Sequence, residues 1–210
     1  KIFKLGYKEI ISLHISSKLS GTINSAKTAK NMLRQGEKID IIDTGNVSLG
    51  LGRLVREAAI MAKAHKTAKD ISEWIRQVKS KSKIYFVVKE LKYLERGGRI
   101  GRASSVIGGM LNLRPILGFK NGEVYLEKKA IGDRGAIKYI EKTLKSDAKE
   151  NSIIVYYLTS ANDNKKEINE LIKVSERDSR IKIMGSFEIG AVIGAHTGPV
   201  YGVIIWPKVN

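Results

Sequence analysis

The sequence has no cysteine among its 210 residues. The chain therefore forms no disulfide, carries no thiol nucleophile and offers no thiolate ligand for zinc. It also has no apolar run near the roughly 18 residues of a membrane-spanning helix, and no signal-peptide pattern. These absences fit a reducing environment, so we expect a cytoplasmic protein, and we predict neither a metal site nor a cofactor.

Acidic residues are scarce beside basic ones. Lys and Arg total 38 against 21 Asp and Glu, a formal net charge of +17. Such an excess suits nucleic acid, an anionic membrane, an acidic partner protein or an anionic ligand, although a solvated basic surface is the simpler alternative. The basic residues are scattered and not interleaved with aromatics. We therefore expect no specific nucleic-acid binding, while transient membrane contact stays open.

Strand and helix patterns alternate along the chain, which indicates an α/β fold. Residues 1–81 are predicted to form a parallel-sheet α/β domain, and residues 82–210 a smaller α+β domain. The boundary falls in the polar, basic run at residues 79–83. Asn121-Gly122 between two apolar runs predicts a tight hairpin in the second domain.

Three local predictions concern helix ends and one apolar stretch. Ser48 and Asp133 are placed to cap helices, because short polar side chains accept hydrogen bonds from first-turn amides. Residues 103–113 are apolar and contain glycine, which favours a buried helix. Asp43 ends a predicted strand, where it is either a turn acid or part of a hydroxyl network.

A cluster of hydroxyl side chains follows the first predicted strand, residues 10–15. A helical pattern starts directly after the cluster, so the hydroxyls and a glycine fall at a strand-to-helix junction. Helix N-termini attract anions, and glycine lets a ligand approach the backbone. The alternative is a helix cap with spare serines. The predicted anion-binding residues are Ser16, Ser17, Ser20, Gly21 and Thr22.

Three motifs occur in order: SSKLSGT at 16–22, LKYLERGGRIGR at 91–102 and GAHTGP at 194–199. Together with RPIL at 114–117 and the hairpin after it, this combination resembles the DegV family of bacterial fatty-acid-binding proteins over nearly the whole chain. Family members begin with a further α/β segment, so we expect a missing N-terminal piece. Val200 replaces the family's last glycine, and a positive φ there would be strained.

The resemblance implies a two-domain protein with a long-chain fatty acid between its domains. The carboxylate is expected to meet the hydroxyls of the first motif and the histidine of the third. Some family members present the fatty acid to an ATP-dependent kinase subunit that forms an acyl-phosphate. The protein would then be a carrier without catalytic residues.

The histidine of the third motif is His196, with Thr197 beside it as a further carboxylate-binding candidate. An imidazole donates a hydrogen bond and titrates near neutral pH, which suits a carboxylate partner. The alternative for His196 is a packed loop histidine, and for apolar candidates it is ordinary core. Residues expected to face the acyl chain or a partner are Arg99, Ile107, Met110, Leu111 and Ile193.

Two other functions stay open. A serine-dependent hydrolase on a lipid-like substrate, or a kinase, would use Ser17 as nucleophile with His196. However, the sequence has no G-x-S-x-G elbow, no P-loop and no evident third member of a triad. A protein that binds nucleic acid or anionic membranes would instead follow from the net charge.

Overall fold

The computed structural model describes residues 1–106, 112–160 and 164–208, and the chain divides into two compact units. Unit 1 is Lys1–Ser80 and unit 2 is Lys81–Asn210. The division lies beside the boundary predicted after residue 81, and the assignment of the units as functional domains stays a prediction. Unit 2, expected to be the smaller, is the longer unit in this chain because it contains a six-stranded sheet.

Unit 1 is a short parallel α/β layer. Its strands are β1 (Ile10–His14) and β2 (Ile39–Asp43), and its helices are α1 (Thr22–Asn31), α2 (Ser48–Lys63) and α3 (Ala68–Val78). Short 3-10 turns occupy Ile2–Leu5 and Gly36–Lys38. The strands pair in parallel, from Ile10 beside Ile39 to His14 beside Asp43. This agrees with the predicted order of strand, helix, strand and two helices.

The core of unit 1 forms where α3 packs against the strands. Ile71 and Ile75 lie one turn apart and are buried beside Ile42 of β2. The helix starts at a capping box: the Thr67 hydroxyl accepts from the Asp70 amide at 3.1 Å, and the Asp70 carboxylate accepts from the Thr67 amide at 3.2 Å. This reciprocal pair fixes the start of α3, so its apolar stripe meets the sheet.

The cap predicted at Ser48 is wrong. Helix α2 begins at Ser48, and Val47 is the N-cap residue in an extended conformation with no side-chain hydrogen bond. Ser48 has φ 52°. Despite this left-handed backbone, Ser48 is the first residue of the helix, one residue beyond the N-cap position from which a side chain accepts from first-turn amides.

Unit 2 is built on one mixed sheet with the strand order β5-β4-β3-β8-β6-β7. The strands are β3 (Lys83–Val88), β4 (Leu113–Lys120), β5 (Glu123–Ile131), β6 (Ile153–Thr159), β7 (Ile181–Glu188) and β8 (Val200–Pro207). The helices are α4 (Lys92–Arg96), α5 (Gly132–Glu150), α6 (Lys165–Ser175) and α7 (Ala191–Thr197). Strands β6 and β7 are parallel, and the other neighbours are antiparallel.

The predicted Asn-Gly hairpin is present between β4 and β5. Lys120 pairs with Glu123, which leaves a two-residue loop. Asn121 has φ 54° and Gly122 has φ 82°. A type I′ turn needs positive φ at both central residues, and these two residue types adopt it most readily. Local chemistry therefore sets the register of this sheet edge.

Described residues form an apolar cluster at each of two places on the sheet of unit 2. One lies beneath α5 and α6, with Ile140 and Leu144 of α5 buried against Val155 and Val203 of the sheet. The other contains Leu94 of α4 together with residues of β3, β4, β5 and β8. The second cluster places α4 and the glycine-rich segment after it against the sheet.

Two predictions for unit 2 need correction. Asp133 does not cap α5: the N-cap residue is Ile131, without a side-chain bond. Its carboxylate instead accepts from Arg114 Nε at 3.1 Å and from the Tyr201 hydroxyl at 3.2 Å. The predicted buried helix at 103–113 is corrected at its two ends, since Gly101–Val106 is a 3-10 turn and Leu113 opens β4, while residues 107–111 lie outside the described residues.

Val200 is not strained. It opens β8 and pairs with Val88 of β3 in an antiparallel ladder. It is not among the residues with positive φ. The position tolerates a β-branched residue because the backbone here is extended, where such residues pack well.

Candidate functional site

The residue 16–22 segment, here called the hydroxyl turn, is anchored by Ser16. This residue is 1% exposed, and its amide donates to the Asn46 carbonyl at 2.9 Å. Its carbonyl accepts from the amides of Leu19 and Ser20, and its hydroxyl accepts from the Lys18 amide at 3.2 Å. Ser16 therefore shapes the turn, and its main-chain and side-chain groups are used within unit 1.

The Asp43 carboxylate lies beside the hydroxyl turn at the end of β2. It accepts from the Ser17 amide at 3.3 Å, from the Ser17 hydroxyl and from the Gly45 amide at 2.9 Å. Burial raises the pKa of Asp43, but the hydrogen bonds from Ser17 and Gly45 outweigh it, so this pKa lies below its ordinary value. Asp43 fills both predicted roles, turn acid and member of a hydroxyl network.

A second buried network fixes the loop that follows β2. Asn46 is 2% exposed, and its side-chain amide donates to the carbonyls of Lys79 at 2.6 Å and Thr44 at 3.0 Å. The Thr44 hydroxyl donates to the His14 carbonyl at 2.7 Å. By residue type alone, Thr44 and Asn46 fit an ordinary turn. The feature of the sequence that could have pointed to this network is the short polar run directly after β2.

The outer part of the hydroxyl turn is open to solvent. Ser17, Gly21 and Thr22 are exposed, and Ser20 is half-buried. The hydroxyls of Ser20 and Thr22 are 2.5 Å apart, and the Thr22 amide donates to the Ser20 hydroxyl at 3.3 Å. Gly21 is the N-cap residue of α1, and a Cβ added there would meet nothing within 4 Å. The surface thus presents hydroxyls at a helix N-terminus with room beside the backbone.

This arrangement suits an anion. The first amides of a helix have no intrahelical acceptor, and the helix dipole adds partial positive charge there. No acidic residue lies in the first turn of α1. Hydroxyl protons at the positive end of a helix are donors that suit a carboxylate or phosphate.

The predicted candidates of unit 2 centre on the α4–α7 contact, where the second and third motifs pack together. Gly97 passes so close to the His196 ring that a Cβ on Gly97 would collide with its Nδ1 atom. Gly198 has φ 62°, and a Cβ there would lie 2.5 Å from the Tyr93 ring. Two motifs about one hundred residues apart therefore form one packed structure, and glycine is required at both close approaches.

The side chains around the α4–α7 contact differ in what they can donate. His196 is half-buried in the last turn of α7. Thr197 is 7% exposed, and its hydroxyl lies 3.1 Å from the Ile193 carbonyl and 3.0 Å from the Gly198 carbonyl. The single Thr197 proton is thus directed to the main chain. Arg99 is exposed and donates to the Gly97 carbonyl at 2.6 Å.

The predicted site residues fall into three groups. Five of them share the hydroxyl turn of unit 1. Arg99, Ile193, His196 and Thr197 belong to unit 2, with Ile193 half-buried on α7. Ile107, Met110 and Leu111 lie outside the described residues. Within the described ranges, no group of three or more His, Asp or Glu side chains could hold a metal ion, and no helix is long and apolar enough to cross a bilayer.

The sequence profile described as "uncharacterised protein, DegV family" matches residues 1–208. The chain belongs to the DegV family. A DegV domain-containing protein of Clostridium perfringens is 35% identical over 196 residues, covering 90% of this chain and 68% of the relative. One of Deinococcus radiodurans is 32% identical over 201 residues, covering 95% of this chain and 70% of the relative. The resemblance noted from three motifs is confirmed.

Solved DegV structures share the fold. The DegV family protein of Thermus thermophilus, described for its fatty acid binding, matches with a TM-score of 0.87 at 30% identity, covering 98% of this chain and 73% of that one. DegV of Bacillus subtilis, a fatty acid binding protein, matches with a TM-score of 0.83 at 29% identity, covering 99% and 73%. The mixed α/β class is confirmed, and these DegV relatives bind fatty acids.

Proposed function

We propose that this protein binds a long-chain fatty acid and that the hydroxyl turn binds its carboxylate. The observation that carries the proposal is the open group of hydroxyls at Ser17, Ser20 and Thr22, set at the N-terminus of α1 beside an unfilled space at Gly21. Fatty-acid binding by DegV relatives supports the choice of ligand.

The available protons limit how the turn can bind a carboxylate. One proton of the Ser20–Thr22 hydroxyl pair lies between the two oxygens, so the other is free to donate outward. The Ser17 hydroxyl contacts Asp43, and must rotate away from that carboxylate to donate to a ligand. Asp43 therefore competes with the ligand for Ser17. The positive end of the α1 helix dipole adds to the attraction of a carboxylate at this turn.

The acyl chain would supply most of the affinity. Each buried methylene contributes about 0.8 kcal/mol, whereas a carboxylate that exchanges water for protein donors gains less. A carboxylate left without donors would oppose binding strongly. The head group therefore decides specificity: palmitate should bind delipidated protein more tightly than methyl palmitate, which has the same chain and no charge.

The first experiment is native mass spectrometry of the purified protein, followed by denaturation and lipid analysis. A bound mass of one long-chain fatty acid, released on denaturation, is the expected result. Delipidated protein should then take up added palmitate. If the purified protein carries no fatty acid and the delipidated protein binds neither palmitate nor oleate, the proposal is overturned.

A substitution at Ser17 tests the head-group site. Ser17→Ala should weaken palmitate binding about tenfold, since a hydrogen bond to a charged group contributes roughly 1.5–3 kcal/mol. Ser146→Ala removes an exposed serine on α5 and is the matched control. Equal affinities for wild type and Ser17→Ala would remove Ser17 from the site.

The role of His196 is a separate prediction. If its ring donates to the carboxylate, His196→Ala should weaken palmitate binding by a similar factor. His65→Asn is the control: His65 has φ 58°, a conformation that Asn tolerates. Unchanged palmitate affinity in His196→Ala would leave the histidine as a packing residue of the α4–α7 contact.

We also infer, as in some family members, that the bound fatty acid is presented to an ATP-dependent kinase subunit in the cytoplasm. The carrier alone should not turn over ATP or esters, and a fluorophosphonate should not label Ser17. Addition of a kinase subunit and ATP should form an acyl-phosphate. Labelling at Ser17 would favour the hydrolase alternative, and cell fractionation tests the location.

A further inference from the structure

Helix α5 carries a row of basic side chains along its exposed face. The row consists of Arg134, Lys138, Lys142, Lys145 and Lys149, all of which are exposed. The successive spacings are four, four, three and four residues. At 3.6 residues per turn and 1.5 Å per residue, these positions lie within an arc of about 80° and extend over about 22 Å.

The charges of this basic row are largely uncompensated. Glu141, at its margin, pairs with Lys145 at 2.6 Å. Asp133 and Asp147 pair instead with an arginine of β4 and a lysine of β3. Glu150 lies about 120° around the helix from the middle of the row. No described acidic side chain forms an ion pair with the other four members, so positive charge dominates this face.

Helix α6 extends the basic surface sideways. It packs beside α5 over the same apolar cluster, and the two helices together are here called the α5–α6 layer. Its exposed charged residues are Lys165, Lys166 and Lys173 against Glu170. Among the described residues, none of the exposed large apolar side chains lies on either helix. The described exposed side chains of the two helices are therefore polar and mostly basic, and Ile131, the N-cap residue of α5, is an exposed apolar side chain beside them.

We propose that the α5–α6 layer docks this protein on an anionic lipid surface. Four of the five row members are lysines, whose ammonium groups attract negative charge without a fixed direction, as a diffuse layer of headgroups requires. Two helices side by side present a broad face rather than a single projecting element. The row has no aromatic side chain for base stacking. Fatty-acid binding is not needed for this argument.

Co-sedimentation with vesicles tests the docking directly. The full chain, with and without palmitate, should bind phosphatidylcholine vesicles that contain about 30 mol% phosphatidylglycerol. It should not bind vesicles of phosphatidylcholine alone. Binding should fall steeply as NaCl rises from about 0.05 to 0.5 M, because screening shortens the range of the attraction. Failure to bind the anionic vesicles at low salt would overturn the proposal.

A matched pair of double variants locates the surface. Lys138→Gln with Lys142→Gln should weaken vesicle binding about 25-fold, about fivefold for each basic residue removed. Lys66→Gln with Lys69→Gln removes the same charge from exposed positions of unit 1 and should change binding by less than about twofold. Equal loss in both would show an effect of net charge alone and refute the α5–α6 layer.

Duplex DNA is the competing occupant. We expect DNA binding to be weaker than vesicle binding at equal ionic strength, and insensitive to which lysine pair is removed. DNA that binds more tightly than the vesicles, and that loses affinity selectively in the α5 variant, would overturn the lipid assignment. If the α5 variant loses affinity for the vesicles but binds DNA as wild type does, the result supports docking on lipid.

Discussion

The hydroxyl turn and the α4–α7 contact both carry predicted binding residues, yet they are held together in opposite ways. The turn depends on directed hydrogen bonds, with the buried Ser16 at its centre and the Asp43 carboxylate at its side. The α4–α7 contact depends on missing side chains, because Gly97 and Gly198 allow two rings to lie against the backbone.

This difference separates the effects of substitutions. In the turn, a side chain can be removed with the loss of one or two hydrogen bonds, and the outer hydroxyls are exposed to solvent. In the α4–α7 contact, an added methyl group has no room, so substitution disturbs the fold before it disturbs binding. Substitutions at Gly198, Tyr157, Asp43 and Gly21 should therefore destabilise the protein to different degrees, with Gly198→Ala the most severe.

Gly198→Ala should have the largest effect. Gly198 has φ 62° and ψ −155°, a region that is essentially restricted to glycine, and its new methyl would lie 2.5 Å from the Tyr93 ring. Strain and collision together should lower the free energy of unfolding by about 3 kcal/mol, measured by urea denaturation.

The matched control is Gly190→Ala. This glycine precedes the same helix with φ −71°, and an added Cβ meets nothing within 4 Å. It should cost well under 1 kcal/mol. Similar losses in both variants would contradict the idea that close approach, and not glycine as such, holds the α4–α7 contact.

Tyr157→Phe should rank second. The Tyr157 hydroxyl is buried beneath α6, bonded to the Ser175 hydroxyl and 3.3 Å from the Leu171 carbonyl. Its removal leaves the fully buried Ser175 short of a partner, at a cost of about 1–3 kcal/mol in chemical denaturation. Tyr7→Phe, at an exposed tyrosine, is the control and should cost nearly nothing.

The dependence of stability on alkaline pH is a second test of Tyr157. Burial raises the pKa of Tyr157 to about 12. Since the folded protein favours the neutral phenol, this contribution to stability is complete below about pH 10 and is lost as pH rises through 12. Tyr157→Phe should therefore lose less stability between pH 10 and 12 than wild type, and an equal loss would argue against this assignment.

Asp43→Asn should rank third and act on the turn. The neutral amide keeps the shape but weakens the bonds from Ser17 and Gly45, so we expect a loss of about 1 kcal/mol in urea denaturation. Because the pKa of Asp43 is lowered on folding, its contribution is present at neutral pH and disappears as pH falls below about 3.9. Asp40→Asn, in an exposed ion pair with Arg76, should matter less. The reverse order would contradict the network described here.

The same variant tests the competition for Ser17. With Asp43 neutral, the Ser17 hydroxyl is held less strongly by its neighbour, and electrostatic repulsion of a ligand carboxylate is removed. Palmitate affinity should therefore rise or stay constant in Asp43→Asn while stability falls. A parallel fall in both quantities would mean that Asp43 positions the turn for the ligand.

Gly21→Ala should have the smallest effect on folding. Its backbone φ is −71° and the new methyl meets no atom, so the free energy of unfolding should change by about 0.5 kcal/mol or less. The methyl does enter the space where the proposed carboxylate lies. Palmitate binding should weaken several-fold, and unchanged binding would place the ligand away from Gly21.

Much of the fold followed from local sequence. The Asn121-Gly122 hairpin was predictable because only a few residue pairs tolerate two successive positive φ values. The start of α3 was predictable from Thr67, and structure added the reciprocal Asp70 bond. The hydroxyl turn was predictable as a strand-to-helix junction. Each of these features is decided by residues a few positions apart.

Other features could not be found this way. Asp133 has the residue type and position of a helix cap, yet its carboxylate accepts hydrogen bonds from Arg114 and Tyr201, which lie on strands distant in sequence. Asn46 fits an ordinary turn, and its burial is visible only once the end of α3 contributes the Lys79 carbonyl. Ser48 missed its cap by one residue, an error that local propensity does not resolve.

Short motifs and their order were enough to predict the fold class, the hairpin, the hydroxyl turn and the DegV family. The tertiary structure alone decided that Gly97 meets His196 and that Gly198 meets Tyr93, and that Asp43 holds Ser17. The physical reason is range: turn and cap chemistry acts between neighbours, whereas close packing and ion pairing act between residues that only folding brings together.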